Sequence, residues 1–187
     1  EVDLVASSKF TDKKELMKII PSYNGAIITS NIPFDKEVID RAHNLKVVSR
    51  FGVGFDRIDI TAATERGIYV TNTPVLTNTV ADLVFGLIFA VARNIALADA
   101  YIKSGSWKVR EDRTKFTGFD ISGKTLGIIG MGRIGSLVAR RAFGFEMSVS
   151  YYDVIRYKEL EAESYITFCP FHEVLAQSDI VSIHIPL

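Results

Sequence analysis

Gly130, Gly132 and Gly135 follow the apolar run Leu126 to Ile129 and open a helical pattern, in the order G-x-G-x-x-G. Each glycine meets a different need of a bound pyrophosphate. Gly130 permits a tight turn out of a strand, Gly132 lacks a side chain that would block the phosphates, and Gly135 lets the helix pack closely on the strand. Met131, Arg133 and Ile134 complete the loop. The amides of Arg133 and Ile134 lie in the first helical turn and point outward at the positive end of the helix. A second apolar run then stops on Asp153, roughly 20 residues beyond the glycines, as in dinucleotide-binding units. A carboxylate there can accept hydrogen bonds from both adenosine ribose hydroxyls and would repel a 2′-phosphate, which favours NAD over NADP. The alternatives are a purely structural glycine turn and a solvated Asp153. The strand before, the helix after and the acid in register together favour the cofactor site. Arg156 leaves the NAD preference open in degree, since a nearby arginine can accommodate a 2′-phosphate.

A second cluster, Ser49 to Asp56, places Gly52 and Gly54 on either side of Val53, just after Arg50 and Phe51. Two glycines around one apolar residue expose consecutive amides, a shape suited to holding a carboxylate. A plain strand-to-helix turn would read the same way. The histidines are weaker candidates for acid–base work, which requires a carboxylate partner and a place at the site. His43 and His172 fall at helix ends and read as solvated, while His184 ends a buried strand and should face the cofactor. Cys169, before Pro170, has no basic neighbour to lower its pKa and reads as structural. No metal site is expected.

The elements that must position these residues alternate between short β-rich runs and helical patterns, the mark of parallel sheets with crossover helices. Strands are expected at Asp3 to Ala6, Ala26 to Thr29, Lys46 to Ser49 and Ile68 to Val70. Helices are expected at Asp12 to Ile20, Asp35 to Ala42 and Ile60 to Arg66, the last closed by Gly67. One long helix is expected from about Thr79 to Lys103, apolar nearly all round between Leu83 and Ala92 and therefore buried between layers. Trp107 to Asp120 reads as a loop. The second unit then runs through strands at Thr125 to Gly130, Met147 to Tyr152 and Ile180 to Ile185, with helices at Arg133 to Phe143 and Phe171 to Ala176. The fold class is α/β, two Rossmann-like or flavodoxin-like parallel-sheet units. The outer unit is expected over 1–94, the dinucleotide-binding unit over 95–187, and a hinge or interface helix over 79–105.

Composition narrows the partners. The 187 residues are 48% hydrophobic and 24% charged, with 22 basic and 22 acidic side chains. With no charge excess and no basic run, neither nucleic acid nor an anionic membrane is expected as a partner. The apolar run Leu83 to Ala92 falls short of the roughly 20 residues a spanning helix needs. A single cysteine fits a reducing cytoplasm. No secretory signal opens the chain, although Glu1 follows no initiator methionine.

Three blocks resemble the D-isomer-specific 2-hydroxyacid dehydrogenases: Val47 to Asp59 with its GVGxDxID core, Ala62 to Pro74, and Lys124 to Asp153. The family's VAE triplet appears as Val80-Ala81-Asp82 and its HxPL pattern as His184-Ile185-Pro186-Leu187. The resemblance implies a two-domain oxidoreductase whose nucleotide domain is inserted in the sequence of an outer substrate domain. It implies that amides around Gly52, Val53 and Gly54 hold a substrate carboxylate. It implies further that Arg133, Ile134 and Asp153 bind NAD, that His184, Ile185 and Pro186 line its ribose side, and that the long helix supports a homodimer. The family's catalytic arginine and its glutamate-paired histidine are expected beyond Leu187, and its first strand and helix before Glu1. The 187 residues alone are therefore expected to be inactive. Relatives acting on phosphoglycerate carry an arginine-serine pair where this chain has Thr29-Ser30, while Arg50 is retained. That favours a small unphosphorylated 2-oxo acid such as glyoxylate or hydroxypyruvate over 3-phosphoglycerate. A dinucleotide-sensing corepressor on the same scaffold is the alternative from another class.

Overall fold

The computed structural model describes residues 12–29 and 33–185, so the strand expected at Asp3 to Ala6 lies outside the described residues. The chain divides into two compact units, Glu1–Leu76 and Thr77–Leu187. Each has its own parallel sheet and core.

In the first unit, β1 (Gly25–Ile28), β2 (Val47–Arg50) and β3 (Tyr69–Asn72) pair side by side in that order, all parallel. Helices α1 (Lys13–Ile19), α2 (Lys36–Arg41) and α3 (Ile60–Glu65) start where an aspartate side chain can take an orphan amide. Asp12 accepts from Lys14, Asp35 from Val38 and Asp59 from Ala62. Past α3, Gly67 turns with φ +65°, the left-handed backbone that ends a helix most readily in glycine. The core gathers Phe34, Val38, Ile39, Val48, Ala62 and Ile68.

The second unit opens with α4 (Thr77–Ala92) and α5 (Ile95–Lys103). Strand β4 (Thr125–Ile129), α6 (Arg133–Phe143), β5 (Ser148–Tyr152), β6 (Ile166–Phe168), α7 (Phe171–Gln177) and β7 (Ile180–Ile183) follow. Its sheet is parallel in the order β6-β5-β4-β7. The first three strands of this unit therefore run outward in one direction and the fourth starts again on the other side of β4. The point of reversal, between β4 and β7, is where open α/β sheets bind ligands at the carboxyl ends of their strands.

Three expectations need correction. The long helix is two helices bent by 63°, because Asn94 adopts the left-handed conformation (φ 53°) without any glycine or proline to announce it. The unit boundary falls before α4, not at 94/95, because Ala81, Phe85, Ile88 and Ala92 of α4 join the core that holds Leu126, Val138 and Tyr151. Arg141 of α6 adds an ion pair to Asp82 of α4 (2.6 Å). Finally, α4 is buried on one face only. Leu83, Leu87 and Val91 are exposed and, with Phe119, Val181 and Ile183, line an apolar groove of about 520 Å³. Among the described residues no single helix is long and apolar enough to cross a membrane.

The segment 93–118 leaves the end of α4 and returns to it. Ala92 O, uncovered by the helix break, accepts the amide of Phe119 (2.9 Å). A Cβ on Gly118 would lie 1.8 Å from that same oxygen, so only glycine fits. Inside the excursion, expected to be a loop, Arg110–Phe116 forms a 3₁₀ helix. Buried Asp112 accepts from Lys115 Nζ (2.6 Å) and from the amides of Lys108 (2.7 Å) and Val109 (3.2 Å). The Lys115 ammonium and these amides hold the Asp112 carboxyl well below the usual carboxylate range.

Candidate functional site

The glycine loop leaves β4 at the reversal point, and the three glycines differ as the sequence implied. Gly130 has φ +94°, and a Cβ there would lie 2.7 Å from His184 O. Gly135 sits so close beneath it that a Cβ would lie 2.1 Å from Gly130 O. Gly132, by contrast, has open space where a side chain would project. The loop is tight where chain meets chain and clear where a ligand would approach.

Helix α6 begins at Gly132 with no side-chain cap on its first amides. An uncapped N-terminus with a clear approach suits an anion, because the free N–H groups and the helix dipole both favour negative charge. The amides of Gly130 and Met131 are engaged elsewhere. Gly130 donates to Tyr152 O (2.8 Å) and Met131 to Asp153 Oδ2 (2.7 Å).

That last bond gives Asp153 a role the sequence did not show. The carboxylate at the end of β5 ties down the glycine loop with Oδ2 and accepts the Ile155 amide with Oδ1 (3.1 Å). Four lone-pair positions on an ionised carboxylate leave two for ribose hydroxyls. The signal for this second role lies in the fold, since Ile129 and Tyr152, the last residues of β4 and β5, pair in register.

His184 borders the loop from the other side. Its amide donates to Ile129 O (2.7 Å), and its ring Nε2 meets Ser182 Oγ (2.9 Å) rather than a carboxylate. Burial pushes the imidazole below its ordinary value, so it is neutral at pH 7 and lines the site as an uncharged group. Ile185 lies equally near, its Cγ2 2.8 Å from a Cβ built on Gly130. Pro186 lies outside the described residues. Cys169 is a free thiol whose pKa burial raises, as a structural cysteine's should be.

The other cluster sits at the carboxyl ends of the first unit's strands. Gly52 takes φ +138°, and its amide donates to Thr73 Oγ1 (2.8 Å). Thr73 Oγ1 in turn donates to Arg50 O (3.2 Å), and Asn72 Nδ2 donates to Val53 O (2.8 Å). The loop is thus strapped to the end of β3 by two side chains that sequence reasoning passed over, although both lie in the Ala62 to Pro74 block. Among the described residues, the amides of Val53 and Gly54 have no protein acceptor, so the exposed donors are these two and not Gly52. The Arg50 guanidinium folds back over Gly52 and donates to Phe51 O. A small polar hollow of about 160 Å³ opens beside it, lined by Thr29, Arg50, Gly54, Asp56 and Arg57. The structure brings together the four residues expected to bind a carboxylate. Ser30, the other half of the Thr29-Ser30 pair, lies outside the described residues.

Known proteins resemble this chain along most or all of its length. Residues 85–187 match the family described as "D-isomer specific 2-hydroxyacid dehydrogenase, NAD binding domain". Glyoxylate reductase of Korarchaeum cryptofilum is 44% identical over 188 residues, covering 100% of this chain and 57% of the relative. Among solved structures, the TT0316 protein of Thermus thermophilus aligns with a TM-score of 0.86 at 40% identity, over 99% of this chain and 56% of its own. D-lactate dehydrogenase of Aquifex aeolicus, solved with NAD and lactic acid, aligns at 0.81 and 27% identity, over 91% and 50%. The chain spans about half the length of these relatives. With the glycine loop on a 3-2-1-4 parallel sheet and the match over its second unit, the chain belongs to the D-isomer specific 2-hydroxyacid dehydrogenase family and carries its NAD-binding domain.

Proposed function

We propose that the complete protein reduces a small unphosphorylated 2-oxo acid of the glyoxylate or hydroxypyruvate type to its D-2-hydroxy acid with NADH, in the cytoplasm and as a homodimer. The observation that carries this reading is the uncapped start of α6 beside an unobstructed Gly132, with Asp153 bonded to the same loop. The relatives named glyoxylate reductase support the substrate class, and the absence of an arginine at Thr29 supports a substrate without phosphate.

When bound, the nicotinamide supplies a hydride acceptor or donor. The chain's own residues do the holding. The free amides at the start of α6 would hold the pyrophosphate, Asp153 would accept from the ribose, and neutral His184 would line the site without adding charge. In the first unit, the Val53 and Gly54 amides and Arg50 bind the substrate carboxylate, which fixes the carbonyl carbon by its neighbour. A proton donor and a cation on the carbonyl oxygen are expected from residues beyond Leu187. The 187 residues alone should therefore bind NADH without turnover.

The test is NADH oxidation by the complete protein with glyoxylate, hydroxypyruvate and 3-phosphohydroxypyruvate, and NAD reduction with 3-phosphoglycerate. The unphosphorylated acids should dominate. Preference for the phosphorylated pair would replace this reading with phosphoglycerate dehydrogenase.

A further inference from the structure

Two cations, Arg156 and Lys158, follow Asp153 in the loop beyond β5. The nearer one, Arg156, is held. Its Nε and one terminal nitrogen donate to the two oxygens of Glu161, at 2.8 and 2.6 Å, a bidentate pair of the strongest kind. Its guanidinium also lies over the ring of Phe168, 5.2 Å from the centroid. Glu161 is fixed from the other side by fully buried Tyr151, whose hydroxyl donates to Oε1 (3.2 Å) and itself accepts the Tyr157 amide (2.9 Å). The Arg156 guanidinium and the Tyr151 hydroxyl lower the Glu161 carboxyl, which keeps it ionised and the pair closed at neutral pH.

We propose that Glu161 is a cofactor-specificity residue: by clamping Arg156 against Phe168 it withholds that cation from the ribose 2′ position, leaving the carboxylate of Asp153 to select NAD. The inference rests on the dinucleotide reading above and deepens it. A free arginine beside the end of β5 would offset the repulsion Asp153 exerts on a 2′-phosphate. An arginine already carrying a bidentate carboxylate offers neither its charge nor its fork. Lys158, the other cation of this loop, is exposed and serves as the control.

The test measures NADH and NADPH dissociation constants of the complete protein by quenching and sensitised fluorescence. Glu161→Gln keeps the side chain's length and an acceptor for Tyr151 but weakens the hold on Arg156. The affinity ratio for NADPH over NADH should rise about tenfold, the effect of one charge-assisted hydrogen bond. Glu161→Asp, too short for the bidentate reach, should move the ratio the same way. Arg156→Gln alone should leave the ratio where it was, and Glu161→Gln with Arg156→Gln should return it there, while Lys158→Gln should not move it. A ratio unmoved in both Glu161 variants, or a gain that survives removal of Arg156, overturns the inference alone. An unsubstituted protein that binds neither dinucleotide overturns the cofactor reading and the inference together.

Discussion

Gly132→Ala and Gly135→Ala add the same methyl group three residues apart and should fail in opposite ways. At Gly132 the backbone has φ −67° and ψ −158°, which alanine adopts, and no atom lies within 4 Å of the new Cβ. The folded state should therefore be untouched or slightly firmer, by about 0.4–1 kcal/mol, because alanine has less freedom to lose than glycine. Yet the methyl occupies the approach to the first amides of α6. Loss of one hydrogen bond from those amides to a charged phosphate is worth about 1.5–3 kcal/mol, so NADH should bind roughly 10- to 150-fold more weakly. At Gly135 the new Cβ would meet Gly130 O at 2.1 Å, backbone against backbone. Alanine improves helix propensity by about 1 kcal/mol, so an uncrowded site would be stabilised. The overlap should reverse that sign and destabilise by roughly 2–4 kcal/mol, a fall in Tm of about 5–15 °C. Thermal melts and NADH titrations of both variants separate the two effects. Wild-type affinity in Gly132→Ala, or a raised Tm in Gly135→Ala, would refute the division of labour among the glycines.

Three further outcomes follow from groups whose partners the structure identifies. Asp153→Ala should weaken NADH binding and relatively favour NADPH, and in the cofactor-free protein it should speed amide exchange at Met131 and Ile155, which lose their acceptor. Asp153→Asn should preserve much of the amide protection, and unchanged NADH affinity in both variants would show that this carboxylate does not hold the ribose. Because burial lowers the His184 imidazole in the folded state, the unfolded chain takes up the proton first. Stability should therefore drop as pH falls below about 6.5, and urea midpoints of His184→Gln should drop less steeply over that window. For Asp112 the lowered carboxyl contributes stability that is present above the ordinary carboxylate value near 4 and lost as pH falls through its folded value. Asp112→Asn should be less stable at pH 7 and show a flatter acid limb in the same assay.

Much of this was legible because local chemistry and global fold agree. The bounds of α6 coincide with the expectation from sequence, since a glycine opens it and an apolar stripe runs through it. The roles of Gly130, Gly132 and Gly135 follow from what a strand-to-helix turn demands of each position. What escaped is what depends on partners distant in sequence. Strand β6, three residues long at the sheet edge, carries no alternation long enough to register. The break at Asn94 is marked by no glycine or proline, only by an asparagine that tolerates the left-handed conformation, and the return of Phe119 to the Ala92 O uncovered there could not be read from the sequence. Apolar residues all round α4 suggested burial on every side, but periodicity cannot say which neighbours exist to cover them. Asn72 and Thr73 fall past the strand expected at Ile68 to Val70, and only the fold sets their side chains against the Gly52 loop.

The closure of residues 93–118 on a single carbonyl has an evolutionary reading. Its two ends are pinned at one spot, by Phe119 on Ala92 O and by a glycine nothing else can replace. Between these ends lie α5 and the 3₁₀ helix, so a change of length there leaves the two pinned ends where they are. Lineages should therefore diverge in length and surface within this excursion while holding Ala92, Gly118 and Phe119 in place. It is a site of permitted invention on a unit whose remaining geometry is fixed.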